Sequence, residues 1–170
     1  TDAEWRRHTQ EVRFAARSAS EHLNQAQSLV REFVLTGDPH LDSRTREQLA
    51  ETLKITHQLR RLTGRNPAQQ ARLDRIEPLL RDWQQELERT LEGRRTEGLE
   101  AAVRRVQAGT GRKLSETIQA LFLEVEQEEL VFLLPGLLEL VEAIAVARYP
   151  GSQKGRIENQ ILFGIQGING

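Results

Sequence analysis

An unbroken heptad pattern opens the chain and narrows its possible folds more than any other feature. Trp5, Thr9, Val12, Ala16, Ala19, Leu23, Ala26, Val30 and Phe33 follow one another at spacings of 4, 3, 4, 3, 4, 3, 4 and 3. That rhythm keeps one stripe of a helix turned toward a partner along its whole length. The helix is expected from about Asp2 to Thr36 and would be roughly 50 Å long at ~1.5 Å per residue. Ala16, Ala19 and Ala26 let a neighbouring helix approach closely. The stripe stops at "LTGDP" (Leu35–Pro39). Gly37 stands where a helix end favours a left-handed residue. Asp38 followed by Pro39 is an N-cap with a proline at the first helical position. Twenty-seven residues on, "LTGRNP" (Leu62–Pro67) repeats the signal with Gly64, Asn66 and Pro67. Two matched corners of this kind fold long helices back on themselves with almost no loop.

The second helix is expected from about His40 to Thr63, with Leu49, Leu53, Leu59 and Leu62 on its apolar side. The third carries Leu73, Ile76, Leu80, Trp83, Leu87 and Leu91 at spacings of 3, 4, 3, 4 and 4. Pro78 lies inside it and is expected to kink it, having no N–H for the carbonyl of Asp74. Gly93 and Gly98 loosen its end, and a short helical piece from about Leu99 to Gln107 leads to the break "AGTG" (Ala108–Gly111). A last long helix starts near Arg112 on a stripe of Leu114, Ile118, Leu121 and Val125. The expected fold is all-α, an antiparallel up-down four-helix bundle with long helices and a short extra helix before the last one. An even helix count returns the chain to the end of the bundle from which it set out.

The chain changes character after about Leu130, with 43 charged residues before it and only 6 in the last forty positions. We therefore divide it into a helical domain over residues 1–130 and a tail over residues 131–170. "LVFLLPGLLELVEAIAVA" (Leu130–Ala147) has the length of a membrane span. Pro135 and Gly136 interrupt it, and Glu139 and Glu142 would each cost roughly 2–4 kcal/mol in mid-bilayer. An amphipathic helix with both Glu on one face is the reading adopted. The closing "RYPGSQKGRIENQILFGIQGING" has no period and reads as a disordered or non-native end. The chain opens on Thr1 rather than Met and is expected to be a piece of a longer protein.

Candidate chemistry is sparse. Ala, Glu, Lys, Leu and Arg make up 83 of 170 residues, the share that marks long helices. The absence of Cys excludes thiol catalysis, disulfides and Cys-based zinc sites. With 24 basic and 25 acidic residues, the chain lacks the basic excess of a nucleic-acid binder. His8, His22, His40 and His57 contain no i,i+4 pair, so a metal would need ligands converging from separate helices. They are read as solvated helix faces, and no metal or cofactor is expected. "GTG" (Gly109–Gly111) lacks the preceding strand and fuller motif of a phosphate loop and reads as a turn. Trp5 and Trp83 lie on the apolar stripes and read as core. Arg60-Arg61, Arg94-Arg95 and Arg104-Arg105 are read mostly as solvated charge in a chain of 21 Arg and 3 Lys. No nucleophile, base and orienting group can be assembled, so the chain reads as non-enzymatic.

Four stretches carry a family resemblance: "RRHTQEV" (Arg6–Val12), "LVREFVLTGDPHL" (Leu29–Leu41), "LRRLTGRNPAQQARLDRI" (Leu59–Ile76) and "EVEQEEL" (Glu124–Leu130). In order and spacing they resemble the third class of CHASE domain, a helical extracytoplasmic sensor module of bacterial membrane receptors, most often histidine kinases. A common family form has Gly where Glu32 stands and usually Asp where Arg65 stands. The resemblance implies sensing, dimerisation and signalling across a membrane, with membrane spans flanking the domain in its parent. A structural or adaptor bundle, spectrin-like or lipid-carrying, is the alternative reading. On the sensory reading, the LTGDP corner and the Gly93–Gly111 region form the membrane-distal end. Asp38, His40, Arg94, Arg95, Arg104 and Arg105 then become the candidate stimulus site, suited to a small anionic ligand or a periplasmic partner. Asp38 already has a capping role that explains it.

Overall fold

The computed structural model describes residues 1–148, with every side chain among them except that of Phe132. All regular structure among the described residues is helical: α1 (Asp2–Thr36), α2 (Pro39–Leu62), α3 (Pro67–Thr96), α4 (Leu99–Ala108) and α5 (Thr110–Arg148). α3 continues through Pro78 as one uninterrupted helix. The expected tail beyond Arg148 lies outside the described residues.

The two corners begin their helices alike but end them differently. At the first, Gly37 is left-handed with φ 67° and its N–H donates to the Phe33 carbonyl. The side chain of Asp38 then accepts from the His40 N–H, and Pro39 opens α2. At the second, Asn66 accepts from the Gln69 N–H and Pro67 opens α3, as the spacing predicts. The stop, however, is made by Thr63 and not by Gly64, which has no positive φ. The Thr63 N–H and hydroxyl both donate to the Leu59 carbonyl, at 3.0 and 2.7 Å. The Asn66 N–H closes onto the Thr63 carbonyl. This wider turn carries the chain round in right-handed steps, so it needs no left-handed residue.

Arg60 fastens that second corner. Its guanidinium donates to Glu77, Asp74 and both the carbonyl and side-chain oxygen of Gln70, at 2.8–3.2 Å. The Gln70 amide returns hydrogen bonds to the Arg60 carbonyl and to the Thr63 hydroxyl. The hydrogen bond to Glu77 holds the Arg60 guanidinium above its ordinary value; burial opposes this and Asp74 adds to it. Arg60 is thus not the solvated charge its composition suggests. It is a clamp from α2 onto the first turns of α3.

The apolar stripes form the core. Eight of the nine heptad positions of α1 are buried, from Thr9 to Phe33, and all six of α3 are buried. Trp5 departs from the expectation at 44% exposed, because the core starts one turn further along α1, at Thr9. Trp83 is fully buried, and its indole N–H donates to Gln27 Oε1 at 3.0 Å. The buried face of α2 is less apolar than its leucines suggest: Thr45, Thr52 and Thr56 accompany Leu41, Leu49, Ile55 and Leu59. Each of these threonines donates to the carbonyl four residues back, at 2.7–2.9 Å. A buried hydroxyl satisfied inside its own helix can line a core without a partner across the interface.

Contacts across the helices fix their directions within the first of two structural units, Thr1–Leu130 and Val131–Gly170. Gln27 meets Trp83 and the Val34 carbonyl meets Arg94, so α1 and α3 point the same way. Arg60 with Asp74 and Glu77 sets α2 against α3. Asn24 with Gln119, and Arg17 with Glu126, set α1 against α5. α4 folds back beside the end of α3, where Arg105 reaches Glu86 at 3.4 Å. The described part of the second unit is helical to Arg148, and Leu134, Leu137, Leu140 and Ile144 in it are exposed. By length and composition α5 is long and apolar enough to cross a membrane.

Candidate functional site

Besides the Arg60 clamp at the second corner, three places gather polar groups in the first unit: the LTGDP corner, a pocket beneath the α4–α5 break, and the Glu-rich end of the unit.

At the corner, α3 reaches over the end of α1. Arg94 Nε donates to the Val34 carbonyl at 2.8 Å. The last carbonyls of a helix lack partners inside it, and cations are favoured near them. α1 has no basic residue in its own last turn, so Arg94 supplies the charge from α3. The guanidinium lies against Gly37, where a Cβ would come within 2.8 Å of Nη2. Arg95 approaches the largely buried Asp42 of α2 at 3.7 Å, and Asp42 also accepts from Arg46 Nε at 2.8 Å. Asp38 and His40 are exposed. Four of the expected site residues, Asp38, His40, Arg94 and Arg95, therefore do share the corner, with Arg94 and Asp38 occupied in capping helices. Arg104 is exposed and among the described residues approaches only Glu100, at 3.9 Å on its own helix. Arg105 is drawn elsewhere, to Glu86.

Arg105 belongs to the pocket, which has a volume of about 230 Å³. Gln27, Val30 and Arg31 of α1 line one side, and Glu86, Leu87 and Thr90 of α3 another. Arg105, Val106 and Gln107 of α4 and Gly111 and Arg112 of α5 complete it. The pocket exists because the chain breaks at Gly109, left-handed with φ 78°, letting α4 lie back on α3 before α5 begins. Of its charged residues only Arg105 was a sequence candidate. Gln27, Arg31, Glu86 and Arg112 flank the apolar stripes, and no spacing rule singles them out.

At the other end of the unit each Glu of "EVEQEEL" meets a group from α1 or α3. Glu126 pairs with Arg17. Glu128 pairs with Arg72 at 2.8 Å, and Glu124 lies within 4 Å of Arg72 and Arg75. Glu129, only 5% exposed, accepts from the buried amide of Gln69 at 3.1 Å, and the same amide donates to the Val125 carbonyl at 2.9 Å. This collar ties α5 to both neighbours immediately before the apolar stretch from Leu130 onward.

Among the described residues no group of three or more His, Cys, Asp or Glu is placed to hold a metal. His22 Nδ1 lies 2.6 Å from Gln48 Oε1, a link between α1 and α2.

The sequence pattern of the CHASE3 domain matches residues 2–133, which takes in the corner, the pocket and the collar. No curated protein and no solved structure matches the chain.

Proposed function

The chain belongs to the CHASE3 domain family, whose members are extracytoplasmic, non-catalytic sensory domains of receptors, and from that premise we propose that it is the input domain of a bacterial transmembrane sensor histidine kinase of a two-component system. On this reading the domain stands in the periplasm as an up-down bundle in which α4 and α5 share the fourth column. It works as a homodimer and carries no catalytic residue of its own. Phosphotransfer belongs to the cytoplasmic part of the parent. The observation that carries the reading is the extent of the family match. It runs through the whole bundle and the collar and stops at residue 133, just inside the apolar stretch that begins at Leu130.

The stimulus is passed on as a shift of α1 against α5 of about 1–2 Å, the scale on which packed helices switch. Ala16, Ala19 and Ala26 are buried along α1. α1 meets α5 through polar side chains, Asn24 with Gln119 and Arg17 with Glu126, contacts that can re-form after a shift of this size. The pairs of the collar couple α5 to its neighbours where it leaves the unit, and residues 130–147 carry the movement to the bilayer.

The Cys-free chain gives a direct test of topology. In the parent receptor, with any cysteine outside this chain replaced, Glu97→Cys places a single thiol at an exposed helix end. A membrane-impermeant maleimide should label it in intact spheroplasts as fully as after lysis. Labelling only after lysis would contradict the extracytoplasmic assignment for this receptor.

A further inference from the structure

We infer that the pocket beneath the α4–α5 break is a binding site for a small organic dianion of the dicarboxylate class. The Trp83 indole N–H can only donate, so the Gln27 atom 3.0 Å from it must be the amide oxygen. That fixes the orientation of the amide and leaves its NH2 group on the pocket side. Nε2 has no hydrogen bond among the described residues. It lies 3.5 Å from where a Cβ of Gly111 would stand. A nearly buried donor pair thus opens into the cavity.

The charged groups around it are also mostly donors. Three guanidiniums, those of Arg31, Arg105 and Arg112, face one carboxylate, Glu86. Glu86 is engaged by Arg105 at 3.4 Å. Arg31 has no ion pair or hydrogen bond among the described residues, and Arg112 has only a 4.0 Å approach to Glu116. Two guanidinium forks and one amide NH2 are therefore unmatched by acceptors. The planar guanidinium fork fits a carboxylate with two parallel hydrogen bonds. Val30, Leu87 and Val106 give the pocket an apolar wall suited to a short hydrocarbon chain and not to a bare inorganic ion. Its volume of about 230 Å³ lies below the ~300–1,000 Å³ of drug-sized sites. The occupant is therefore a dicarboxylate of about four to six carbons. Its contacts would span α1, α3, α4 and the first turn of α5, so occupancy would bias the packing of α1 against α5. Only this last consequence rests on the sensory reading; the binding itself does not.

The test uses the whole 170-residue chain in detergent micelles and isothermal titration calorimetry. Succinate and adipate are the probes, with inorganic phosphate and neutral succinamide as controls. At least one dicarboxylate should bind in one-to-one ratio, at least tenfold more tightly than phosphate, with no detectable binding of succinamide. Arg31→Gln, at an exposed and unpaired residue, should weaken that binding at least tenfold with an unchanged circular dichroism spectrum. Arg31→Gln combined with Arg112→Gln should abolish it. Gly111→Leu, which projects a side chain toward Gln27 and Glu86, should do the same. Failure of both dicarboxylates to bind the folded chain would overturn the inference. So would phosphate binding as tightly, or binding that survives the double substitution. Because the readout is binding alone, failure here leaves the sensory reading to be judged by labelling and receptor output.

Discussion

Trp83→Ala should remove about 3–5 kcal/mol of the stability of the Thr1–Leu130 unit, the cost of emptying a large buried aromatic site. Trp83 is the largest fully buried side chain and stands mid-way along α3, in contact with α1 through Gln27. Truncation leaves a cavity in a core shared by all the long helices. It also strips the Gln27 oxygen of its donor, and an unsatisfied polar atom costs about 1–3 kcal/mol if water does not reach it. Urea unfolding followed by circular dichroism measures the loss. Trp5→Ala gives the comparison: its side chain is 44% exposed, so the same substitution there should have a far smaller effect. Equal losses for the two tryptophans would mean that the core does not begin at Thr9.

The second large effect separates the two look-alike corners. Gly37→Val forces a β-branched residue to φ 67°, where strain is of order 1–3 kcal/mol. Its Cβ would also sit 2.8 Å from Arg94 Nη2. Moving Arg94 aside breaks its bond to the Val34 carbonyl, adding about 1 kcal/mol. The total is roughly 2–4 kcal/mol. Gly64→Val meets neither obstacle: Gly64 has no positive φ, and its Cβ would find its nearest neighbour, the Arg61 carbonyl, at 3.4 Å. It should cost less than about 1 kcal/mol, the range of helix-end propensity effects. Similar losses at both positions would contradict the different stops described for the two turns.

How legible each feature was in the sequence depended on whether it was periodic. α3 shows the favourable case, since all six spaced apolar residues are buried. On α1 the same rule held wherever a neighbour was present and failed at Trp5, because a heptad records a helix face but not where its partner ends. α2 hid three of its eight buried residues in Thr45, Thr52 and Thr56, whose burial depends on hydroxyls bonded within the helix, a fact hydropathy cannot express. The second corner misled because Gly64 matches Gly37 in sequence while a four-residue turn removes the need for a left-handed residue. The candidate site was legible only in part. The LTGDP corner does bring Asp38, His40, Arg94 and Arg95 together. Nothing in "LEAAVRRVQAGTG" reveals that α4 lies back on α3, so the pocket and the separation of Arg105 from Arg94 emerge only in three dimensions. The EVEQEEL stretch was legible as a family mark, but its Arg partners stand 49–113 residues away in the chain, from Arg75 with Glu124 to Arg13 with Glu126.

The central claim is that a shift of α1 against α5 carries the signal, and a reversible staple between the two helices tests it most directly. Gln119 Nε2 and Asn24 Oδ1 are 3.5 Å apart, which marks a point of contact between them. Asn24→Cys with Gln119→Cys, in the otherwise Cys-free domain of the full receptor in membranes, can be bridged by a short bis-methanethiosulfonate and released by dithiothreitol. A change in gel mobility of the domain reports completion. The account predicts that bridging fixes kinase activity at a level different from that of the reduced receptor and that dithiothreitol restores the original level. Identical kinase activity in the fully bridged and fully reduced receptor would contradict it.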